Sequence, residues 1–175
     1  MGNLILLCGK PGSGKSTIAK MLEADKSLNM KRYCVDEFMF EAGLADIEDE
    51  NEFVQAVEGQ KEIIYGLVEK GIDKQNFVLD FGFWERAERD YLRQRFSKNN
   101  VIVVWIDLTD DELFARIEKR NGEINNYVFD RETFDRLAAK FEEPTHENVV
   151  IYNPKTFLND LKKMMKTSTG SSFGE

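Results

Sequence analysis

The sequence predicts an α/β protein in which helices flank a doubly wound, parallel sheet of five strands. Short apolar runs alternate along the chain with longer stretches of helical character. Several of the runs are apolar at consecutive positions, which is typical of strands buried on both faces of a parallel sheet. Such alternation implies right-handed crossovers between parallel strands. Ligands of these sheets bind beyond the carboxyl ends of the strands, so the residues after each run are the functional candidates.

Five runs are predicted as strands because each is rich in β-branched or aromatic residues. In chain order they are residues 4–8 (LILLC), 32–36 (RYCVD), 77–81 (FVLDF), 101–107 (VIVVWID) and 149–152 (VVIY). The stretches between them predict helices at 15–25, 50–70, 85–97, 110–120, 131–141 and 155–166. No repeat or linker interrupts the pattern. We therefore expect one domain over residues 1–166 and a flexible polar tail over 167–175.

The composition argues against several classes of function. The 175 residues include 24 Lys and Arg against 32 Asp and Glu, a net charge of −8. Proteins that work mainly by neutralising nucleic-acid phosphates usually have the opposite balance, which argues against a nucleic-acid partner. Two cysteines, Cys8 and Cys34, and the one histidine, His146, form neither a disulfide framework nor a Cys/His metal site. No run is long enough to span a membrane, and we expect a soluble, cytoplasmic protein.

Residues 9–17, GKPGSGKST, match the phosphate-binding P-loop pattern G-x-x-x-x-G-K-[ST] in full. The stretch follows a predicted strand and opens a predicted helix, as the pattern requires. Its backbone N–H groups can surround phosphate oxygens at the helix N-terminus. Lys15 is expected to reach the β- and γ-phosphates, and the Ser16 hydroxyl to ligate Mg²⁺. The predicted nucleotide-binding residues are Gly9, Lys10, Pro11, Gly12, Ser13, Gly14, Lys15, Ser16 and Thr17. The fold class is thus that of a P-loop NTPase.

Acidic residues end three of the predicted strands. Asp80 follows apolar-leaning residues in the manner of a Walker B acid, so we predict that it holds Mg²⁺ together with Ser16. Asp107 ends its strand similarly, but capping of a helix that starts near Asp110 explains it better. Asp36 has two interpretations. It is either the base that takes a proton from an attacking hydroxyl or the N-cap of a short helix through residues 37–43.

Four segments together resemble a branch of small P-loop kinases. They are the P-loop, VDEF at 35–38, LDFGFWERAERD at 79–90 and FEEPTHE at 141–147. The branch is that of the bacterial AAA-like ATP-binding proteins predicted to be kinases, which are related to chloramphenicol phosphotransferase and the zeta toxins. The resemblance extends from residue 4 to about 165, and the 79–90 block is its most specific part. It implies ATP and Mg²⁺ as cofactors and Asp36 as the residue that activates a substrate hydroxyl.

The resemblance also implies an arginine-bearing lid after the fourth strand, at about 116–136. Arg116 and Arg120 are four residues apart and share one helix face, where they can clamp phosphoryl oxygens. We therefore predict both as catalytic residues beside Lys15 and Asp36. The alternative is a solvated face paired with neighbouring acids. Arg131 and Arg136 follow a Gly- and Asn-containing segment that can act as a hinge.

Residues around the 79–90 block are candidates for an acceptor pocket. Phe81, Phe83 and Trp84 either line that pocket or pack the next helix onto the sheet. Arg86 and Arg89 either bind an anionic acceptor or form a solvated helix face. The acidic stretch at 45–53 is either a solvated helix start or a surface that attracts a cationic acceptor.

These features favour a phosphotransferase that moves the γ-phosphate of ATP to a hydroxyl of a small molecule. A nucleotide or polynucleotide kinase is one alternative, and a non-catalytic ATP-binding regulatory module is another. The regulatory module needs the P-loop but not Asp36. A GTPase switch is poorly supported, because the sequence lacks an N-K-x-D step and Asp80 lacks the D-x-x-G spacing.

Overall fold

Five parallel strands form one sheet in the computed structural model of the protein, which describes residues 2–121, 130–145 and 148–167. The strands are β1 (Asn3–Cys8), β2 (Met30–Tyr33), β3 (Asn76–Gly82), β4 (Asn100–Trp105) and β5 (Val149–Ile151). They lie in the order β2-β3-β1-β4-β5, and every neighbouring pair is parallel. This arrangement confirms the predicted doubly wound P-loop NTPase fold. The chain forms β2 and β3 on one side of β1 and then β4 and β5 on the other. The carboxyl end of β1 is therefore the topological switch point, where ligands of such sheets bind.

Helices cover both faces of this sheet. They are α1 (Lys15–Ala24), α2 (Val35–Glu41), α3 (Glu50–Gly71), α4 (Arg86–Arg95), α5 (Asp110–Asn121), α6 (Arg131–Ala138) and α7 (Phe157–Thr167), with a short 3-10 turn at Lys26–Leu28. Six of the seven lie within a few residues of their predicted positions. No helix in the described part of the chain is long and apolar enough to cross a membrane.

The central strand divides the core into two layers. In β1, Leu4, Leu6 and Cys8 pack with α2, α3 and α4, whereas Ile5 and Leu7 face α1 and α7. All five side chains are fully buried. A register shift of one residue would turn each of these side chains to the opposite face of the sheet. The packing on both faces therefore fixes the register of β1 and the position of the loop that follows it.

The predicted second strand is placed too late in the sequence. We expected residues 32–36, but β2 ends at Tyr33, and Asp36 lies in the first turn of α2. Met30, which is buried, extends the strand at its start, and acids in the first helical turn favour the helix over further strand. Asp36 is also not the N-cap of α2, because that position belongs to Cys34.

The predicted capping role of Asp107 is also wrong. The Thr109 N–H and hydroxyl donate to Glu112 Oε2 at 3.0 and 2.8 Å, and the Glu112 N–H donates back to Thr109 Oγ1 at 3.3 Å. This is a reciprocal capping box at the start of α5. Its T-x-x-E spacing is present in the sequence and identifies Thr109 as the capping residue.

The turn after β3 is tightly constrained. Gly82 has φ 105° and Phe83 has φ 47°, both in the left-handed region that L side chains rarely adopt. A Cβ at Gly82 would lie 2.8 Å from Trp84 Nε1, so only glycine fits. Beneath the turn, Arg89 is fully buried and donates to the carbonyls of Phe83 (2.8 Å), Trp84 (3.1 Å) and Glu142 (2.9 Å). Arg89 is therefore a structural residue, and both of its predicted roles, acceptor binding and a solvated face, are wrong.

We expect Arg89→Met to lower the free energy of unfolding by about 3 kcal/mol, because three carbonyls lose a charged donor. For a chain of this size the melting temperature should fall by roughly 10 °C. The matched control is Arg86→Met on the same helix, whose side chain is 50% exposed and 3.7 Å from Asp90. It should change stability by less than about 0.5 kcal/mol. Equal thermal melting of the two variants would contradict this role for Arg89.

Candidate active site

The P-loop connects β1 to α1 at the switch point of the sheet. Gly12 has φ 80°, and a Cβ there would lie 2.7 Å from Leu113 O of α5, so the loop and that helix are in close contact. Gly14 is the N-cap of α1, and no side chain caps this end of the helix. The first N–H groups of α1 are consequently available to a ligand, as phosphate binding requires.

Lys15 folds back onto its own loop. Its ammonium donates to Gly9 O at 2.9 Å and Lys10 O at 3.0 Å, and it lies 3.3 Å from Ser13 Oγ. The pKa of Lys15 is lowered from 10.5 to about 8, mainly by burial, and the positive charge of Arg120 acts in the same direction. The charges of Asp80 and Asp36 oppose that shift. Lys15 thus lies within the field of both candidate carboxylates and of one predicted lid arginine.

One cavity, of about 530 Å³, opens over the start of α1. It is lined by Gly12, Gly14, Lys15, Ser16, Thr17, Lys20, Arg116 and Arg120. Four of these side chains are cationic, so the cavity suits a polyanion such as a nucleotide's phosphates. We call it the phosphate cavity. It brings the two predicted lid arginines of α5 to the predicted phosphate-binding residues.

The P-loop does not direct all of its side chains to the phosphate cavity. Lys10 Nζ lies 2.6 Å from Asp110 Oδ1 and 5.9 Å from the centre of the Phe141 ring, so it points towards α5. Ser13 is buried beneath the loop. Among the nine predicted nucleotide-binding residues, these two therefore have side chains that do not line the phosphate cavity.

A second cavity, of about 420 Å³, adjoins the first, and we call it the acceptor cavity. It lies between the P-loop and the elements α2, α3 and β3. Its lining consists of Pro11, Gly12, Lys15, Ser16, Val35, Asp36, Phe53, Asp80, Phe81, Trp84 and Arg120. Gly12, Lys15, Ser16 and Arg120 line both cavities. A group bound at these four residues is accessible from both sides.

Asp80 lies at an irregular point of β3. Leu6 of β1 pairs with Leu79, but Cys8 pairs with Gly82, so β3 contains one extra residue between these positions. Bulges of this kind redirect side chains and are frequent beside active sites. The Asp80 carboxylate is 2% exposed and lies 3.0 Å from Arg32 Nη2 of β2. Arg32 also donates to both carboxylate oxygens of Glu37, at 2.7 and 2.9 Å.

Asp36 faces the acceptor cavity from the first turn of α2. Its carboxylate accepts no hydrogen bond from the residues that the structure describes. Partial desolvation raises the pKa of Asp36, and the nearby charge of Asp80 raises it further, whereas Lys15 opposes the shift. A carboxylate with a raised pKa that faces a cavity is a suitable proton acceptor.

The remaining arginines of the predicted lid do not join the site. Arg131 packs over the rings of Phe114 and Phe134, at 5.1 and 5.8 Å, and pairs with Asp135 at 2.9 Å. Arg136 lies 3.9 Å from Glu50. The centre of the predicted lid, residues 122–129, lies outside the described residues, as do His146 and residues 168–175.

The comparisons with known proteins agree with this geometry. The sequence matches the AAA domain family over residues 4–144. The chain belongs to this family. No curated protein matches the sequence significantly.

Solved structures show the same fold at low sequence identity. A gluconokinase from Sinorhizobium meliloti is 16% identical with a TM-score of 0.67, and 98% of each chain is covered. Chaetomium thermophilum Kti12 in complex with ADP-AlF3 is 16% identical with a TM-score of 0.66, and the match covers 98% of this chain and 100% of that one. A chain of the Pnkp1/Rnl/Hen1 RNA repair complex is 18% identical with a TM-score of 0.64, over 79% of this chain and 43% of that one.

This AAA domain protein therefore has a kinase-like P-loop fold, and that fold with a complete P-loop implies nucleotide binding. The narrower relationship to chloramphenicol phosphotransferase and the zeta toxins stays a prediction. So do the roles of the individual site residues.

Three residues of the site are absent from the sequence-based predictions. Lys20 lies one turn beyond Ser16 on α1. Its i+4 spacing from Ser16 places both residues on one helix face, which could have identified Lys20 from the sequence. Phe53 and Arg32 reach the site from α3 and β2, through contacts between distant segments that no local pattern reveals. Trp84 was predicted only as a possible pocket or packing residue, but its indole N–H donates to Gly9 O at 3.0 Å.

We expect Trp84→Phe to weaken ATP binding about tenfold. Gly9 O accepts from both Lys15 and Trp84, so Lys15 can move to a phosphate while Trp84 still satisfies this buried carbonyl. Without the indole N–H, that move leaves Gly9 O without a side-chain donor, which costs about 1 to 1.5 kcal/mol. Isothermal titration with ATP measures the change.

The matched control is Trp105→Phe, which alters the other tryptophan of the chain. Trp105 ends β4 and packs against Phe141 with ring centres 6.4 Å apart. Its replacement should leave the dissociation constant for ATP within a factor of about two, since Trp105 donates no hydrogen bond to the P-loop. If Trp84→Phe bound ATP as tightly as Trp105→Phe, the proposed link between Trp84 and Lys15 would be wrong.

Proposed function

We propose that the protein is an ATP- and Mg²⁺-dependent phosphotransferase that moves the γ-phosphate of ATP to a hydroxyl of a small molecule. The observation that carries this proposal is the pair of adjoining cavities. The phosphate cavity is cationic, the acceptor cavity contains Asp36, and Lys15, Ser16 and Arg120 line both. A phosphoryl group held by these shared residues is within reach of an acceptor on the Asp36 side.

The nucleotide is assigned to the phosphate cavity. The free N–H groups at the start of α1 and the P-loop backbone hold the phosphate chain. Lys15 exchanges the carbonyls of Gly9 and Lys10 for phosphate oxygens, and its positive charge offsets the charge that builds up there. Thr17 contributes from the same turn of α1.

The residues present suit Mg²⁺. This ion is usually held by one or two protein oxygens, together with water and substrate phosphates. The Ser16 hydroxyl and the Asp80 carboxylate line the acceptor cavity together, and Arg32 occupies only Oδ2 of Asp80. When bound, the ion would neutralise phosphate charge. No group of three or more Asp, Glu, His or Cys side chains that could hold a metal ion by itself is found in the described ranges.

Asp36 acts as the general base. It takes the proton of the acceptor hydroxyl as that oxygen forms a bond to the γ-phosphorus and the bond to the ADP oxygen breaks. Arg120 steadies the transferred phosphoryl group, since it reaches both cavities, and Arg116 supports the phosphate chain from the side of the phosphate cavity. A non-catalytic ATP-binding module would use the same phosphate cavity without Asp36.

We expect Asp36→Asn to lower kcat by a factor of about 10² to 10⁴, because the amide cannot accept the proton. The dissociation constant for ATP should change less than about threefold, since Asp36 lines only the acceptor cavity. ADP release from Mg·ATP in the presence of acceptor measures turnover, and titration measures binding. Glu41→Gln, at the exposed end of the same helix, is the control and should keep full activity. Undiminished acceptor-dependent turnover of Asp36→Asn would show that Asp36 is not the base. No acceptor-stimulated ADP release from the wild type, with ATP binding retained in both proteins, would support the regulatory module instead.

The pH profile of kcat/KM should have an acidic limb that reflects the ionisation of Asp36. The pKa of Asp36 is raised, and only the ionised form accepts a proton, so activity should fall as the pH drops through that raised pKa. The acidic limb should therefore lie above the ordinary value of 3.8. The residual activity of Asp36→Asn should lack this limb, and Glu41→Gln should retain it. An unchanged limb in Asp36→Asn would assign the titration to another group.

A further inference from the structure

We propose that the acceptor is an alcohol or phenol with an apolar body that is neutral or positively charged. Polyols and anionic acceptors, such as sugar acids, sugar phosphates and nucleotides, are then poor substrates. This inference rests on the proposed function and specifies its substrate class.

The acceptor cavity has a chemically divided lining. Four of its polar side chains, Lys15, Ser16, Asp80 and Arg120, are assigned to the phosphates or to the magnesium ion, and the fifth is Asp36. The other side chains of the lining are apolar or aromatic: Pro11, Val35, Phe53, Phe81 and Trp84. Trp84 presents the ring, because its N–H is already bonded to Gly9 O. Aromatic and apolar walls bind apolar bodies by burial of surface and ring packing.

The distribution of polar groups disfavours a polyol. Each hydroxyl of a polyol that enters the cavity needs a hydrogen-bond partner, and an unpaired buried hydroxyl costs about 1–3 kcal/mol. The polar side chains assigned to the phosphates and the magnesium ion are not available to the acceptor. In the described lining this leaves Asp36 as the polar side chain that can bond to an acceptor hydroxyl. One carboxylate serves one reacting hydroxyl and leaves the others of a polyol unpaired.

The charges disfavour an anionic acceptor. Lys15 and Arg120 are the cations in the described lining, and both are shared with the phosphate cavity. Arg32 is held by Asp80 and Glu37, and its side chain is only 8% exposed. Arg136, beside α3, lies 3.9 Å from Glu50. Residues 122–129, outside the described ranges, include no Lys or Arg in the sequence.

The segment that contributes Val35, Asp36 and Phe53 to the lining is strongly acidic. Between Arg32 and Lys61 the sequence has nine Asp and Glu residues and no Lys or Arg. Phe40, which is 77% exposed, follows Asp36 by one turn on the same face of α2 and extends the apolar surface outwards. An amine on an apolar body is therefore tolerated or favoured here, whereas a carboxylate or phosphate is repelled.

A matched set of probes tests the substrate class. The first three share a primary hydroxyl on a 3-phenylpropyl body: 3-phenylpropanol is neutral, phenylalaninol carries an amine at carbon 2 and is cationic, and 2-benzyl-3-hydroxypropanoate carries a carboxylate at that carbon and is anionic. Sorbitol and gluconate represent neutral and anionic polyols. With Mg·ATP, we expect kcat/KM for the first two to exceed that for the other three by at least about tenfold, the effect of one unpaired polar group or charge. Higher turnover of a polyol or of 2-benzyl-3-hydroxypropanoate, abolished by Asp36→Asn, would overturn the inference but leave the phosphotransferase intact. If no probe and no broader panel from either class were phosphorylated, the proposed function itself would fail.

A variant pair tests the wall directly. Phe53→Gln places a polar amide in the acceptor cavity, and we expect KM for the preferred apolar alcohol to rise about tenfold while KM for ATP changes less than twofold. Val54→Gln is the control, because this neighbour on α3 is 53% exposed and does not line the cavity. Thermal melting of both variants reports any loss of folding. A folded Phe53→Gln protein with unchanged KM for the alcohol would contradict the assignment of the apolar wall to the acceptor.

Discussion

The backbone N–H and C=O of Gly9 join the P-loop to the turn that follows β3, and the geometry of both cavities depends on these two hydrogen bonds. Gly9 N–H donates to Gly82 O at 3.2 Å, and Gly9 O accepts from Trp84 Nε1 at 3.0 Å. The turn is held from below by Arg89, whose guanidinium bonds its carbonyls and that of Glu142. The unusual φ angles of Gly82 and Phe83 persist because the surrounding bonds fix them. One strained turn thus positions both the start of the P-loop and the aromatic wall of the acceptor cavity.

The positive charge of Arg32 compensates the carboxylates near the phosphate cavity, where Asp80 and Asp36 both lie close to Lys15. Asp80 and Arg32 form an ion pair with both side chains almost fully buried, an arrangement that requires good geometry and further hydrogen bonds to be stable. Glu37 supplies those bonds by binding the other end of the guanidinium. Arg32 therefore ties β2, α2 and β3 together. Asp36, on the same helix as Glu37, lines the cavity and forms no ion pair with any residue in the described part of the chain.

The sequence predicts the parts of this site that depend on local spacing. The P-loop, α1 and the order of strands and helices follow from short patterns, because backbone geometry over ten or so residues determines them. The end of β2 was less predictable, since the run that includes Cys34 and Val35 is apolar enough for a strand but begins a helix. Arg89 was misassigned because an arginine on a predicted helix gives no sign of burial. Its environment is made by Phe83 and Glu142, the latter more than fifty residues away in sequence.

If the protein is the proposed phosphotransferase, the apolar lining of the acceptor cavity also bears on how it avoids hydrolysing ATP. Water competes with any acceptor hydroxyl for Asp36, and a catalytic cleft must exclude it before the phosphoryl group moves. Polar walls would hold ordered water near the carboxylate, whereas Val35, Phe53, Phe81 and Trp84 offer it few hydrogen bonds. Under the proposed reaction, an apolar acceptor that packs against these side chains would displace the water and place one hydroxyl beside Asp36. The same walls that select the acceptor can therefore also protect the phosphate, so acceptor specificity and low ATP hydrolysis have a common physical origin.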